Sequence, residues 1–324
     1  MVSSLSKLTT TALVGCMTLT AGLGAASAQA LRYGILPAGQ DTYGQAALAG
    51  FRAGAEAAGV EVVFADSQWS VERMANNIED MIAQQVNAVA IFPIDAVVAQ
   101  IWVDNLVAAG IAAASSGSNI GDPAEHGPDW VYPGLAAVVV ADLVEAGRIA
   151  GALALEVLPS DRSANIAIVQ GAPGFAVNDQ HYQGVIEALD AAGANYTIVA
   201  DQPTDWSPES GEAVCANILT ANPAVDVIFS FADPMSLGCA RSTQAMGSAA
   251  KIISVTGGMQ IGLDEVAAGG IYGGVCVRPG TMGRLLFDAI HQAVTSGNLQ
   301  AGQYVGYELT PYTAANLADC VAEW

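Results

Sequence analysis

The chain has 324 residues, 52% of them hydrophobic, which is enough to fill the cores of two ordinary domains. Ten lysines and arginines stand against 31 aspartates and glutamates, for a formal net charge of -21. A surface of that sign repels nucleic acid and anionic lipid, so neither is an expected partner.

The chain opens on an apolar, small-residue stretch in which Lys7 is the only charge before Arg32. The stretch closes on Ala26-Ser27-Ala28-Gln29-Ala30, two overlapping A-x-A cleavage sequences. Threonines interrupt it, so it reads as a removable signal peptide over 1–30 rather than a membrane anchor. Leu13-Val14-Gly15-Cys16 offers lipid attachment at Cys16 as the alternative. Either route takes the protein out of the cytoplasm, and the periplasm is the expected location. No later apolar run is free of charge, Gly or Pro for long enough to read as a membrane span.

Short β-branched runs then alternate with longer Ala-rich amphipathic stretches. Strands are predicted at 33–36, 60–64, 88–92, 111–114, 165–170, 196–200, 225–231, 251–255 and 272–277. Helices are predicted near 43–58, 70–85, 96–109, 142–157, 178–192, 208–221, 234–247, 260–268 and 279–296. Gly59 and Gly193 suit helix ends, and Ser70 and Asp95 suit N-caps. The alternation predicts parallel sheets covered on both faces. It runs twice, over 31–118 and 163–277, around an irregular Gly-, Pro- and Asp-rich segment at 119–134. Two similar α/β lobes follow, with the ligand site expected in the cleft lined by the carboxyl ends of the strands.

In an oxidising compartment the even set Cys215, Cys239, Cys276 and Cys320 is expected to pair. Cys215 and Cys239 sit early in two successive predicted helices and could lie side by side, which would leave Cys276 for Cys320. Sequence alone leaves the connectivity open.

The order and spacing of several segments resemble the ribose/galactose-type periplasmic binding proteins of sugar ABC transporters. They are Gly50 to Gly59 with Asp66-Ser67-Gln68, Ile91-Phe92-Pro93-Ile94-Asp95, Asp142 to Gly151, and Gln170-Gly171 to Gly184. Ala221-Asn222-Pro223 to Phe229, followed by Asp233-Pro234-Met235-Ser236-Leu237-Gly238, completes the set. The resemblance implies a type I periplasmic binding protein-like α/β fold, with two Rossmann-like three-layer α/β/α lobes joined by a three-segment hinge. The N-terminal lobe would be 31–140 plus 278–306, and the C-terminal lobe 141–277 plus 307–324. Cytoplasmic sugar-responsive repressors share such lobes but carry a helix-turn-helix ahead of them, where this chain has its leader.

By the same resemblance Trp206 falls at a stacking aromatic position, with Asp41 and Tyr43 at a polar and an aromatic contact. Trp206 could instead pin the start of a helix, and Asp41 and Tyr43 could be plain loop residues. Trp69 and Phe175 could wall the cleft or only pack. Asp233 could touch ligand, cap a helix, or do both. Asn178, Asp179 and His181 lie where relatives usually place an arginine, and none is present here. Ser118, Thr256 and Val277 stand at further contact positions but depart from the family. Gly117-Ser118 replaces Asp-Arg, Ala232 replaces Asn, Thr256 replaces Asp and Val277 replaces Gln. The pocket is therefore expected to be less polar than one for ribose or glucose, with Trp130 and Tyr132 of the 119–134 segment as candidate replacement contacts.

No nucleophile–base pattern, paired-carboxylate motif or phosphate loop occurs, and the three histidines are isolated, so no enzyme, metal or cofactor is expected. The expected function is capture of a small neutral sugar or sugar alcohol by a monomer that closes on its hinge and serves an inner-membrane ABC permease. A chemoreceptor or sensor-kinase adaptor, or a binder of a less polar non-sugar metabolite, is the alternative.

Overall fold

The first sheet is built from β1 (Arg32–Leu36), β2 (Glu61–Phe64), β3 (Ala88–Ile91), β4 (Ala112–Ser116) and β5 (Leu135–Val139), with β11 (Gln303–Val305) on its edge. All its strands are parallel, in the order β11-β5-β4-β3-β1-β2. The second contains β6 (Ala164–Gln170), β7 (Tyr196–Pro203), β8 (Val227–Ser230), β9 (Lys251–Gly257) and β10 (Gly273–Cys276). Its order is β12-β10-β9-β8-β6-β7, and only β12 (Thr310–Thr313) is antiparallel. This computed structural model describes residues 1–2, 30–122, 125–127 and 129–324. The expected leader, with Cys16 and the A-x-A sites, falls outside the described residues.

Parallel strands need covered faces, and the sequence supplies apolar groups on both. β3, β4, β5, β8 and β10 are buried along their whole length. On one face of the first sheet, Phe51 of α1 (Thr42–Ala58) meets Phe287 of α9 (Pro279–Ser296) edge-on at 5.5 Å. On the other, Met74, Ile78 and Met81 of α2 (Val71–Ala83) pack with Trp102 and Leu106 of α3 (Ala99–Ala108). Around the second sheet, α4 (Leu143–Leu155) packs on α5 (Ala176–Ala191), and α6 (Pro208–Ala221) on α7 (Asp233–Met246). The short α8 (Gln260–Ala268) follows β9.

Helix starts follow the expected chemistry. Asp41, Ser70, Asp142 and Ser207 each accept a backbone N–H in the first turn of α1, α2, α4 and α6. Asp95 differs: it accepts from Val97 and Val98 N–H at 2.9 Å in a turn, and α3 begins only at Ala99. Three strands escaped the sequence reading. β5 is an Ala/Val run whose pattern reads equally as a helix start, and β11 and β12 are only three and four residues long. The chain passes between the sheets three times, after β5, after β10 and after β11. Among the described residues no helix is long and apolar enough to cross a membrane.

Both disulfides form in the pairing weighed above. Cys215–Cys239 ties α6 to α7, and Cys276–Cys320 ties the end of β10 to the tail. The tail reaches further: the Glu323 carboxylate accepts from the Thr281 N–H at 2.7 Å and its hydroxyl at 2.6 Å, capping the first turn of α9. Replacing Cys215 and Cys239 with Ala opens a 24-residue loop. We expect the unfolding free energy from urea titration to drop by about 3 kcal/mol, with no drop if the bond does not constrain the unfolded chain.

Candidate functional site

In each sheet strand order reverses beside the first strand, between β1 and β3 and again between β6 and β8. At such a point the connections leaving the carboxyl ends diverge and open a crevice. A cavity of about 450 Å³ lies where the two sets of connections meet. β1 contributes Asp41, Thr42 and Tyr43, β2 Trp69, β3 Phe92 and β4 Gly117. β6 contributes Phe175 and Val177, β7 Asp205, Trp206, Ser207 and Pro208, and β8 Ala232 and Pro234. Thr256 and Met259 follow β9, and Val277 follows β10. Leu143 at the start of α4 and Trp324 at the tail complete the wall. A larger surface cavity of about 690 Å³ includes Lys251 and Tyr272, at the opposite ends of β9 and β10.

The two tryptophans occupy equivalent places. Trp69 joins β2 to α2 and Trp206 joins β7 to α6, and both have left-handed backbones, at φ 57° and 69°. That conformation costs a bulky residue on the order of 1–3 kcal/mol, so the surrounding contacts must hold it. Each indole lies over the glycine of the neighbouring first connection. A Cβ at Gly39 would fall inside the Trp69 ring, and one at Gly171 inside the Trp206 ring. Phe175 stands between them, with ring centroids 6.0 Å from Trp69 and 5.9 Å from Trp206, so aromatic contact runs from one sheet's connections to the other's. Tyr43 sits edge-on to both Phe92 at 5.8 Å and Trp324 at 5.3 Å.

The polar lining is sparse. Among the described residues Asp41 and Asp205 are the charged side chains on the wall, and neither lysine nor arginine reaches it. Burial pushes the Asp41 carboxyl up, against the pull of the Gly44 N–H it accepts at 2.6 Å. Bonds from the Ser207 hydroxyl and backbone hold Asp205 below the usual carboxylate range. The buried indole N–H groups of Trp206 and Trp324 have no hydrogen-bond partner among the described residues.

Seven residues singled out in the sequence line this cavity: Asp41, Tyr43, Trp69, Phe175, Trp206, Thr256 and Val277. Five do not. Ser118 is buried with its hydroxyl on the Asn119 carbonyl at 3.3 Å, and Gly117 takes the wall position. Asn178 uses its amide inside the connection after β6, accepting from Gly171 N–H at 2.9 Å and donating to Ala172 O at 2.8 Å. Asp179, with Asn178 and Asp95, borders a separate cavity of about 530 Å³. His181 is fully buried between the Leu143 carbonyl at 2.9 Å and the Thr256 hydroxyl at 3.0 Å. Asp233 is fully buried under the connection after β9, where its Oδ2 accepts from Met259 N–H at 2.9 Å. Trp130 and Tyr132 are not on the wall either: Trp130 stacks on His126 at 4.2 Å, and Tyr132 donates to Asp104 of α3 at 3.1 Å.

Other wall residues lay outside the sequence reading of the site, among them Phe92, Leu143, Met259 and Trp324. Phe92 ends a predicted strand and Met259 follows one, which was the available signal. Trp324 lies four residues beyond Cys320, so its place was legible only through the bond to Cys276 beside Val277. Among the described residues no cluster of His, Cys, Asp and Glu could hold a metal ion.

Burial shifts the two hidden titratable groups in opposite ways. It raises Asp233 from 3.8 to about 6, although the Ser254 hydroxyl and the Met259 and Gly258 amides pull it down. It lowers His181 from 6.5 to about 4, against the Leu143 carbonyl. Asp233 therefore contributes stability that is complete below pH 3.8 and lost as pH rises through about 6. His181 contributes stability that is complete above pH 6.5 and lost as pH falls through about 4. Asp233→Asn keeps the shape and removes the first slope. Urea titrations from pH 4 to pH 7 should show its stability gaining steadily on the parent protein, and a gap that stays constant with pH would contradict the raised carboxyl.

Known proteins share this fold. The ribose import binding protein of Bacillus subtilis (strain 168) is 26% identical over 233 residues, covering 71% of this chain and 70% of that relative. The ribose import binding protein of Salmonella typhimurium is 24% identical over 257 residues, covering 79% and 81%. Among solved structures, the Caulobacter myo-inositol binding protein bound to myo-inositol superposes with a TM-score of 0.80 at 23% identity, over 90% of this chain and 95% of its own. An ABC transporter solute binding protein from Mycobacterium smegmatis with bound glycerol gives 0.81 at 22%, over 90% and 97%. With residues 33–298 matching the periplasmic binding protein domain, this chain belongs to that family.

Proposed function

We propose that this chain is an exported solute-binding protein that takes up a small neutral polyhydroxylated molecule, a sugar or sugar alcohol, between its two lobes and passes it to an ABC permease. The observation that carries the reading is the aromatic-walled cavity to which β1–β4 and β6–β10 all contribute. Indole and phenyl faces suit the C–H faces of a sugar ring, while Asp41 and Thr256 supply polar contacts for hydroxyls. The relatives named above for ribose import support the same class of solute. The family points to work in the periplasm, and we read the protein as a monomer and a binder rather than a catalyst.

The lobes would be 31–140 with 278–306, and 141–277 with 307–324. Ligand bridging them favours the closed arrangement because it touches both only there. The sparse charge on the wall favours solutes less polar than an aldopyranose, such as a deoxygenated sugar or an acyclic polyol. Small-angle scattering with a bound sugar should show a smaller radius of gyration than without; an unchanged radius at saturation would sink the closure. Trp206→Ala should weaken sugar binding by roughly 1–3 kcal/mol in calorimetry through lost apolar contact. Parental affinity in that variant would remove Trp206 from the ligand's wall.

A further inference from the structure

The proposed site has one polar group whose hydrogen-bonding direction is dictated from behind. Thr256 faces the cavity, and its Oγ1 lies 3.0 Å from His181 Nε2. The other ring nitrogen, Nδ1, lies 2.9 Å from the Leu143 carbonyl oxygen. A carbonyl oxygen can only accept, so Nδ1 must carry the proton. In a neutral imidazole this leaves Nε2 as a bare acceptor, and the Thr256 hydroxyl has to donate its single hydrogen to it. Burial keeps the ring neutral, since it lowers the His181 pKa to about 4.

We infer that His181 is a positioning residue that fixes Thr256 as an obligate hydrogen-bond acceptor, so that the bound solute presents an O–H or N–H to it. A free threonine hydroxyl rotates and takes either role, whereas this one has lost its donor. The consequence for specificity rests on the sugar-binding reading of the cavity. A hydroxyl or ammonium at that point of the solute is accepted. An ether, fluorine or carboxylate oxygen there meets lone pairs with no hydrogen between them. The two carboxylates on the wall, Asp41 and Asp205, act in the same direction against anionic solutes, and no lysine or arginine among the described residues opposes them there.

The test has two arms. Long-range 1H–15N correlation spectra of the three histidines at pH 7 can be assigned with His126→Gln and His291→Gln. They should show His181 protonated on Nδ1 and bare on Nε2, and a proton on Nε2 would overturn the inference whether or not any sugar binds. The second arm is calorimetry with D-ribose, D-allose and myo-inositol, and with D-gluconate and D-ribose 5-phosphate as anionic counterparts. For a neutral probe that binds, Thr256→Val should lose about 10- to 100-fold in affinity, as expected for an unpaired polar contact. Thr256→Ser should recover most of that loss, and the anions should not bind. Parental affinity in Thr256→Val, or no recovery in a Thr256→Ser protein of parental thermal stability, would refute the role of Thr256. If no neutral probe binds the parent protein, the sugar reading fails, and the tautomer alone decides whether Thr256 is a fixed acceptor.

Discussion

Parallel pairing makes every strand of a sheet end on the same side, and the site depends on this constraint. Because β1–β4 and β6–β10 run parallel within their sheets, nine connections leave at two matching edges. A hairpin topology would have divided those connections between opposite ends. The chain places rings at six points on the resulting wall: Tyr43, Trp69, Phe92, Phe175, Trp206 and Trp324. The two left-handed tryptophans illustrate the cost and the return. An unfavourable backbone at each lets a flat indole lie over a glycine, and only a residue without a side chain admits the ring that closely.

Behind the rings lies a layer of buried polar groups that the cavity wall rests on. His181 links the start of α4 to the end of β9 through the Leu143 carbonyl and the Thr256 hydroxyl. Asp233 links the start of α7 to the connection after β9 through the Met259 amide. Both side chains are fully buried, and each is tolerable only in its neutral form or with its partners in place. The end of β9 is thus tied to α5 and to α7 at once, which keeps the Thr256 side chain still on the cavity wall.

The sequence made the strand-helix alternation legible because continuous apolar runs and Ala-rich stripes differ in period. It also pointed to Tyr43 and Trp206 through the family resemblance, and to Trp69 and Phe175 as aromatics that could wall the cleft or only pack. It could not say which way a polar side chain in a helix faces. Asn178 and His181 sit three residues apart on α5, yet one stitches its own loop and the other supports a neighbour, and neither reaches the cavity. β11 and β12 were hidden because three or four mixed residues carry no period, and their pairing is decided by β5 and β10. Trp324 was hidden because its position comes from a covalent bond and from the Glu323 cap on α9, neither of which is a local pattern.

Of the five tryptophans in the chain, Trp69, Trp206 and Trp324 border the cavity. Their excited states therefore report directly on what occupies it. A guest that displaces solvent from these indoles will alter the intrinsic emission of the protein, while the other two, Trp102 within a core and Trp130 stacked on His126, supply a constant background. The molecule carries its own optical gauge of occupancy, with no dye required.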